Sequence, residues 1–315
     1  MLVRPKDVKL AQQLEAGLSS FDSQSRALPG IKSRANRTAF VEQLVESIRR
    51  IKYISVIRSR KLSSSRADPS SDIFDPIMAA VLRMREGQID EAFWFVFLFV
   101  HFGKHQRDGW RLVRDVYGRL GRGAPWDWTR TSAHPERFRK WLANYQAHLK
   151  RAGITCHFGN HRKYQSLDAN KSAGTGAAFE SYVEWVDPPR THQMLFQEVY
   201  KKCDGDPKAT FDYLYRSMND VVSFGRMAKF DYLTMVGKLG LAPIEPGSTY
   251  MQGATGPVSG ARLLFGGNKN APLKHEVLET WLGQLGARLN VGMQVLEDAL
   301  CNWQKSPSLF KPFRG

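Results

Sequence analysis

The chain is poor in cysteine, short of acidic residues relative to basic ones, free of long apolar runs and nearly devoid of strand-like segments. Its three cysteines, Cys156, Cys203 and Cys301, are widely spaced and form no C-x-x-C pair. That spacing offers no ligand set for a structural zinc or a four-cysteine iron–sulfur cluster, so no metal is expected. A reducing cytoplasm is the expected compartment. The longest apolar run, Ala92 to Val100, is nine residues. A membrane helix needs about 20, so the run reads as a buried helix and no membrane partner is expected. Met1 to Ser20 carries charges throughout, and no signal peptide is expected there. The P-loop spacing G-x-x-x-x-G-K-S/T is missing, and no cofactor is expected. Strand signals are confined to Thr155–Phe158 and Tyr182–Val186, where one short pair is expected.

What is present points to a folded, basic protein. Hydrophobic residues make up 42% of the 315 and aromatics 11%, enough for a sizeable core. Lys and Arg number 46 against 30 Asp and Glu, a formal charge of +16. Such an excess attracts polyanions, because each phosphate neutralised releases condensed counterions. Eight tryptophans add rings that stack on bases. DNA is therefore the expected partner, for a chain expected to act as a monomer. Residues 1–70 hold 14 basic and 6 acidic residues, and read as a basic N-terminal arm and helix. Residues 71–315 read as the main domain.

Apolar spacing is helical nearly throughout. Asn36 is expected to cap a helix through Phe40, Leu44, Ile48 and Ile51, followed by the basic, serine-rich connector Arg58–Arg66. Pro76 suits a first helical turn, and Glu91–His101 is a strongly apolar helix. Further helices are expected over Trp110–Leu120 and Pro135–Leu149. A loop is expected over Leu167–Ala178. Phe211, Leu214, Tyr215, Met218 and Val222 form one stripe, and a second helix runs from Arg226 to Leu239 until Gly240 and Pro243 stop it. One last helical region is expected over His275–Gln304.

Several groups could do chemistry. His161, Arg162 and Lys163 beside Tyr164 combine cations with a ring, suited to phosphate contacts and stacking; a charged helix start is the plainer reading. His101, Lys104 and His105 follow the apolar helix. Between the helices around residues 211–240 lies Val221-Val-Ser-Phe-Gly-Arg-Met-Ala228. A turn there can aim backbone N–H groups and a helix N-terminus at a DNA phosphate.

That segment resembles the hairpin of the helix-hairpin-helix DNA glycosylases, whose usual form is L-P-G-V-G-R-K-T-A. Phe224, Gly225 and Arg226 match, while Ser223 replaces the first glycine. The resemblance implies an all-α fold with two helical lobes and an active-site cleft between them. It implies DNA contacts at Phe224, Gly225, Arg226 and Lys229, and puts His101, Lys104 and His105 where relatives wall the base pocket. It also implies a catalytic carboxylate about twenty residues beyond the second glycine, which is Glu245. Met227 stands where bifunctional members carry a Schiff-base lysine, so a monofunctional enzyme is implied.

A narrower resemblance runs from about residue 38 through Glu91-Ala-Phe-Trp94, His101-Phe-Gly-Lys-His105, Gly109-Trp110 and Arg114–Leu120. It continues through Phe158-Gly-Asn-His-Arg-Lys-Tyr164, Phe224–Leu233, Gly253-Ala-Thr-Gly-Pro257 and Leu300-Cys-Asn-Trp303. These segments are similar to the alpha-glutamyl/putrescinyl thymine pyrophosphorylase family. The Lys229-Phe-Asp-Tyr-Leu233 block makes Asp231 a second candidate carboxylate. Either could be an ordinary surface charge. The implied function is excision of a hypermodified pyrimidine from DNA, leaving an abasic site, in defence against phage with modified genomes. The alternatives are a base-hypermodification enzyme acting on a pyrophosphorylated hydroxymethylpyrimidine, and a non-catalytic DNA-binding module.

Overall fold

A computed structural model describes residues 4–312. Among them, helices carry the fold and no β-strand forms; two isolated bridges are the only extended pairings. In chain order the α-helices are Val8–Gln24 (α1), Arg34–Ser59 (α2), Pro76–Arg85 (α3), Ile89–Phe102 (α4), Arg111–Tyr117 (α5), Trp128–Ala133 (α6) and Pro135–Ala152 (α7). They continue with Thr175–Val186 (α8), His192–Lys202 (α9), Pro207–Ser217 (α10), Arg226–Leu239 (α11), Gly256–Gly266 (α12), His275–Leu289 (α13) and Met293–Trp303 (α14). No described helix is long and apolar enough to cross a membrane.

The chain divides into two compact units: one holds the described residues up to Ser55 and those from Pro246 onward, the other Val56–Glu245. The first buries an aliphatic core in which Leu14, Leu18, Leu44, Leu264, Leu282 and Leu285 close around Phe40 and Trp303. Glycine makes its tightest helix contact possible. A Cβ on Gly260 would lie 2.4 Å from the Leu300 carbonyl oxygen, so α12 crosses α14 backbone to backbone.

The second unit is built around α4, whose residues Ala92–Leu98 are all buried. A helix apolar on every side must be enclosed on every side, and here the enclosing groups are rings. Trp94 packs edge-on to Phe179 at 4.9 Å, and Phe97 stacks on Tyr182 at 4.0 Å. Asp75 caps α3 by accepting from the Ile77 and Met78 amides, ahead of Pro76.

Several expectations are corrected. Asn36 lies inside α2; Ser33 caps it instead, its hydroxyl accepting the Asn36 amide at 3.2 Å. Thr155–Phe158 is irregular and Tyr182–Val186 belongs to α8, so the expected strand pair does not form. Of the residues that suggested strands there, Tyr182 and Phe158 pack instead against rings of α4. The region His275–Gln304 is two helices, because Asn290 adopts a left-handed φ of 52° and ends α13. The helix expected up to Leu120 stops at Tyr117. The basic connector is held in place: Arg85 donates to the Arg58 and Arg60 carbonyls at 2.7 Å.

Candidate functional site

Two glycines bring together segments that are distant in sequence. Gly103 ends α4 with φ 65°, and a Cβ on Gly159 would lie 2.6 Å from the Gly103 carbonyl carbon. The chain after α7 therefore crosses the end of α4 in backbone contact, with the Gly159 amide donating to the Phe102 carbonyl at 2.8 Å. Arg162 turns inward from this crossing. Its Nε donates to the Val100 carbonyl at 2.6 Å, near the C-terminal end of α4 where a cation complements the helix dipole. Its Nη2 donates to Asp231 Oδ2 at 2.8 Å. Arg162 is only 7% exposed whereas the Asp231 side chain is 43% exposed, so a buried cation holds a carboxylate that faces solvent.

The hairpin Val221–Gly225 joins the same surface. Gln165 donates through Nε2 to the Ser223 carbonyl at 3.2 Å, tying the Arg162 turn to the hairpin. Ser223 has φ 62°, a left-handed conformation natural for the glycine that the hairpin pattern calls for. Its hydroxyl offsets the cost by donating to the Ala173 carbonyl at 2.7 Å. Gly225 starts α11 with no side-chain cap, and a Cβ there would meet nothing within 4 Å. A helix start of this kind carries the positive end of the helix dipole into the open space beside Gly225. Tyr164, 90% exposed, stands beside Lys163, whose Nζ is 5.0 Å from its ring centre. His161 and Lys104 are also exposed, and Arg226 is half-buried with its guanidinium 5.0 Å from the Phe230 ring.

Other expected site residues lie elsewhere. His101 is 1% exposed, bonded through Nε2 to Thr175 Oγ1 at 3.0 Å and stacked on Phe97. Burial, reinforced by the nearby Arg162 charge, pushes its pKa down to about 3, so the ring is neutral. Phe224 is buried against Phe97 at 5.1 Å. Lys229 is turned inward, donating to Asn219 with the Tyr215 ring 4.3 Å away, and burial lowers its pKa. His101 and Lys229 belong to the core because the faces of α4 and α11 that carry them are the enclosed ones, and Phe224 because the turn before α11 lays its ring on α4. Glu245 is exposed, 3.8 Å from Lys208. It follows Ile244, whose carbonyl lies against Gly237 near the C-terminal end of α11. The two candidate carboxylates are held by different cations, Asp231 by Arg162 and Glu245 by Lys208.

Two polar groupings escaped sequence reasoning. A buried chain runs from Asp90 Oδ1 to His192 Nδ1 (2.6 Å), from His192 Nε2 to the Tyr182 hydroxyl (2.9 Å) and on to the Tyr232 hydroxyl (2.8 Å). Burial holds the His192 pKa below its usual value despite Asp90, and burial raises both tyrosines. Neutral His192 thus donates to Asp90 and accepts from Tyr182. The second grouping is His105, Asp108 and His157, whose donor atoms lie within 4.8 Å of one another. Asp108 stands in the turn beside His105, but nothing in the spacing of His157 announced that it would meet them.

The surface assembled in the second unit therefore consists of Asp231 on its arginine support, the Lys163–Tyr164 turn and the uncapped helix start at Gly225. Neither a curated protein nor a solved structure matches the chain. A family model does, over residues 35–315. That match spans most of the sequence, and the protein belongs to the alpha-glutamyl/putrescinyl thymine pyrophosphorylase family, clade 3.

Proposed function

We propose that the chain is an enzyme acting on a modified thymine-type base in DNA, and that it hydrolyses the N-glycosidic bond. The observation that carries this reading is Asp231, a solvent-facing carboxylate fixed by buried Arg162 beside an exposed ring and an uncapped helix start. A base taken out of the duplex would stack on Tyr164, while Lys163 and the Gly225 helix start hold flanking phosphates. Asp231 would orient a water and accept its proton as the oxygen bonds to C1′ and the glycosidic C–N bond breaks. The base leaves with a proton from solvent, and an abasic site remains. Met227 supplies no amine, so no Schiff base forms. The hairpin is here a phosphate anchor of the helix-hairpin-helix kind, and the biological setting is defence against phage with modified genomes.

The family's description favours a second reading, in which an amine of the glutamate or putrescine kind bonds to the methylene carbon of a hydroxymethylpyrimidine base as its C–O bond to pyrophosphate breaks, pyrophosphate leaves and the glycosidic bond survives. DNA carrying hydroxymethyluracil, its pyrophosphate, or α-glutamyl- and putrescinyl-thymine, incubated with and without glutamate or putrescine, separates the two. Alkali-labile strand breaks after incubation support excision; a change in base mass without breaks supports displacement. Asp231→Asn, which keeps an acceptor for Arg162, should slow either reaction by about 10²–10⁴-fold, and Glu245→Gln should leave it within about twofold. Equal activity in Asp231→Asn and the parent would remove Asp231 from the mechanism.

A further inference from the structure

We propose that His105, Asp108 and His157 form a binding site for a first-row divalent cation such as Zn2+, separate from the Asp231 centre. His105 Nδ1 lies 3.2 Å from Asp108 Oδ2, and His157 Nδ1 lies 2.8 Å from the same oxygen. Ligand atoms bonded to one cation at about 2.1 Å sit about 3.0–3.4 Å apart in octahedral or tetrahedral arrangements. The two spacings on Asp108 are close to those edges, and small ring rotations would complete the third.

Both imidazoles converge on one carboxylate oxygen, Asp108 Oδ2. His105 Nδ1 also lies 3.2 Å from the Asp108 amide, and a turn of the ring away from that amide frees the nitrogen's single lone pair for the cation. The two imidazoles lie nearly parallel, 4.8 Å apart at 22°, so both edges address the same carboxylate.

The scaffold is already held in position. His105 and Gly109 exchange backbone hydrogen bonds at 3.0 Å, closing the turn that carries Asp108. The Gly103–Gly159 crossing fixes the second segment two residues beyond His157. Two imidazoles with one carboxylate suit zinc, iron, manganese or nickel, whereas calcium and magnesium prefer oxygen alone. Three protein ligands leave room for water, and half-exposed His157 puts that position at the surface. This inference is independent of the proposed reaction.

The test uses the full-length, tag-free protein, stripped with a chelator and titrated with Co2+ in the spectrophotometer, then with Zn2+ in competition. One equivalent of Co2+ with visible d–d absorption, displaced by Zn2+, is expected. His157→Ala and Asp108→Asn should each weaken binding at least about tenfold, while His134→Ala leaves it unchanged. Zn2+ should raise the melting temperature of the parent and not that of His157→Ala. Circular dichroism checks that each variant is folded. No Co2+ band in the parent, or equal affinity in parent and the folded His157→Ala variant, would overturn the site.

Discussion

The two units solve the same packing problem with different materials. The unit containing α1 and α12–α14 closes on leucine side chains, with an ion pair from Arg50 to Asp298 at partly exposed positions. The unit built around α4 closes on rings, and encloses titratable groups among them: His101, His192, Glu91 and the Tyr182–Tyr232 pair. Aliphatic burial is indifferent to pH. A buried imidazole or carboxyl is not, because desolvation penalises its charged form. The unit that carries the candidate site should therefore account for most of the pH dependence of stability.

The largest way to break that contrast is His101→Phe. With a folded pKa lowered from 6.5 to about 3, His101 contributes stability that is fully present above pH 6.5 and lost as pH falls toward 3. The integrated loss is on the order of 5 kcal/mol. Denaturant melts should show a shallower acid limb in His101→Phe, whereas Leu282→Ala in the other unit should lower the whole curve without tilting it. Equal slopes in His101→Phe and the parent would end the comparison.

Glu91 acts in the opposite sense. Burial raises its pKa from 4.5 to about 7, against the Trp128 amide and Tyr117 hydroxyl that donate to it. Its contribution is full below pH 4.5 and lost as pH rises through 7, a change on the order of 3 kcal/mol. Glu91→Gln should remove that fall, measured by melts from pH 4.5 to 8. Tyr182→Phe leaves His192 Nε2 without a donor and the Tyr232 hydroxyl without its acceptor, and should cost about 2 kcal/mol at neutral pH. The smallest effect is expected at Ser223→Gly. Relief of the left-handed conformation, about 1 kcal/mol, is offset by loss of the hydroxyl bond to Ala173, so stability should change little.

How much of this was readable in the sequence depended on whether a signal was local. Periodicity located α4 and placed α11 at Arg226–Leu239, with a turn between α10 and α11. It could not say that α4 is enclosed as far as Phe102, which is what turned His101 from a surface histidine into a core one. Lys229 and Asp231 are two residues apart on one helix, yet one is buried and the other faces solvent. Only the neighbours of α11 decide between them. Asp231 was named from its sequence block, but its partner Arg162 lies 69 residues away, and no spacing rule links them. The same holds for His157 and Asp108, joined by a crossing of two glycines.

The buried chain from Asp90 to Tyr232 has a consequence for aim. Tyr232 is the last group in a line of hydrogen bonds that leaves it little freedom, so it fixes the rotation of α11 about its own axis. Successive residues on an α-helix are turned by about 100°, and the residue before Tyr232 is Asp231. Rolling α11 by one residue would point the carboxylate inward and bring a tyrosine to the surface. The interior thus works as a compass for the exterior: a variant that loosens Tyr182 or His192 should scatter the direction of Asp231 without touching it.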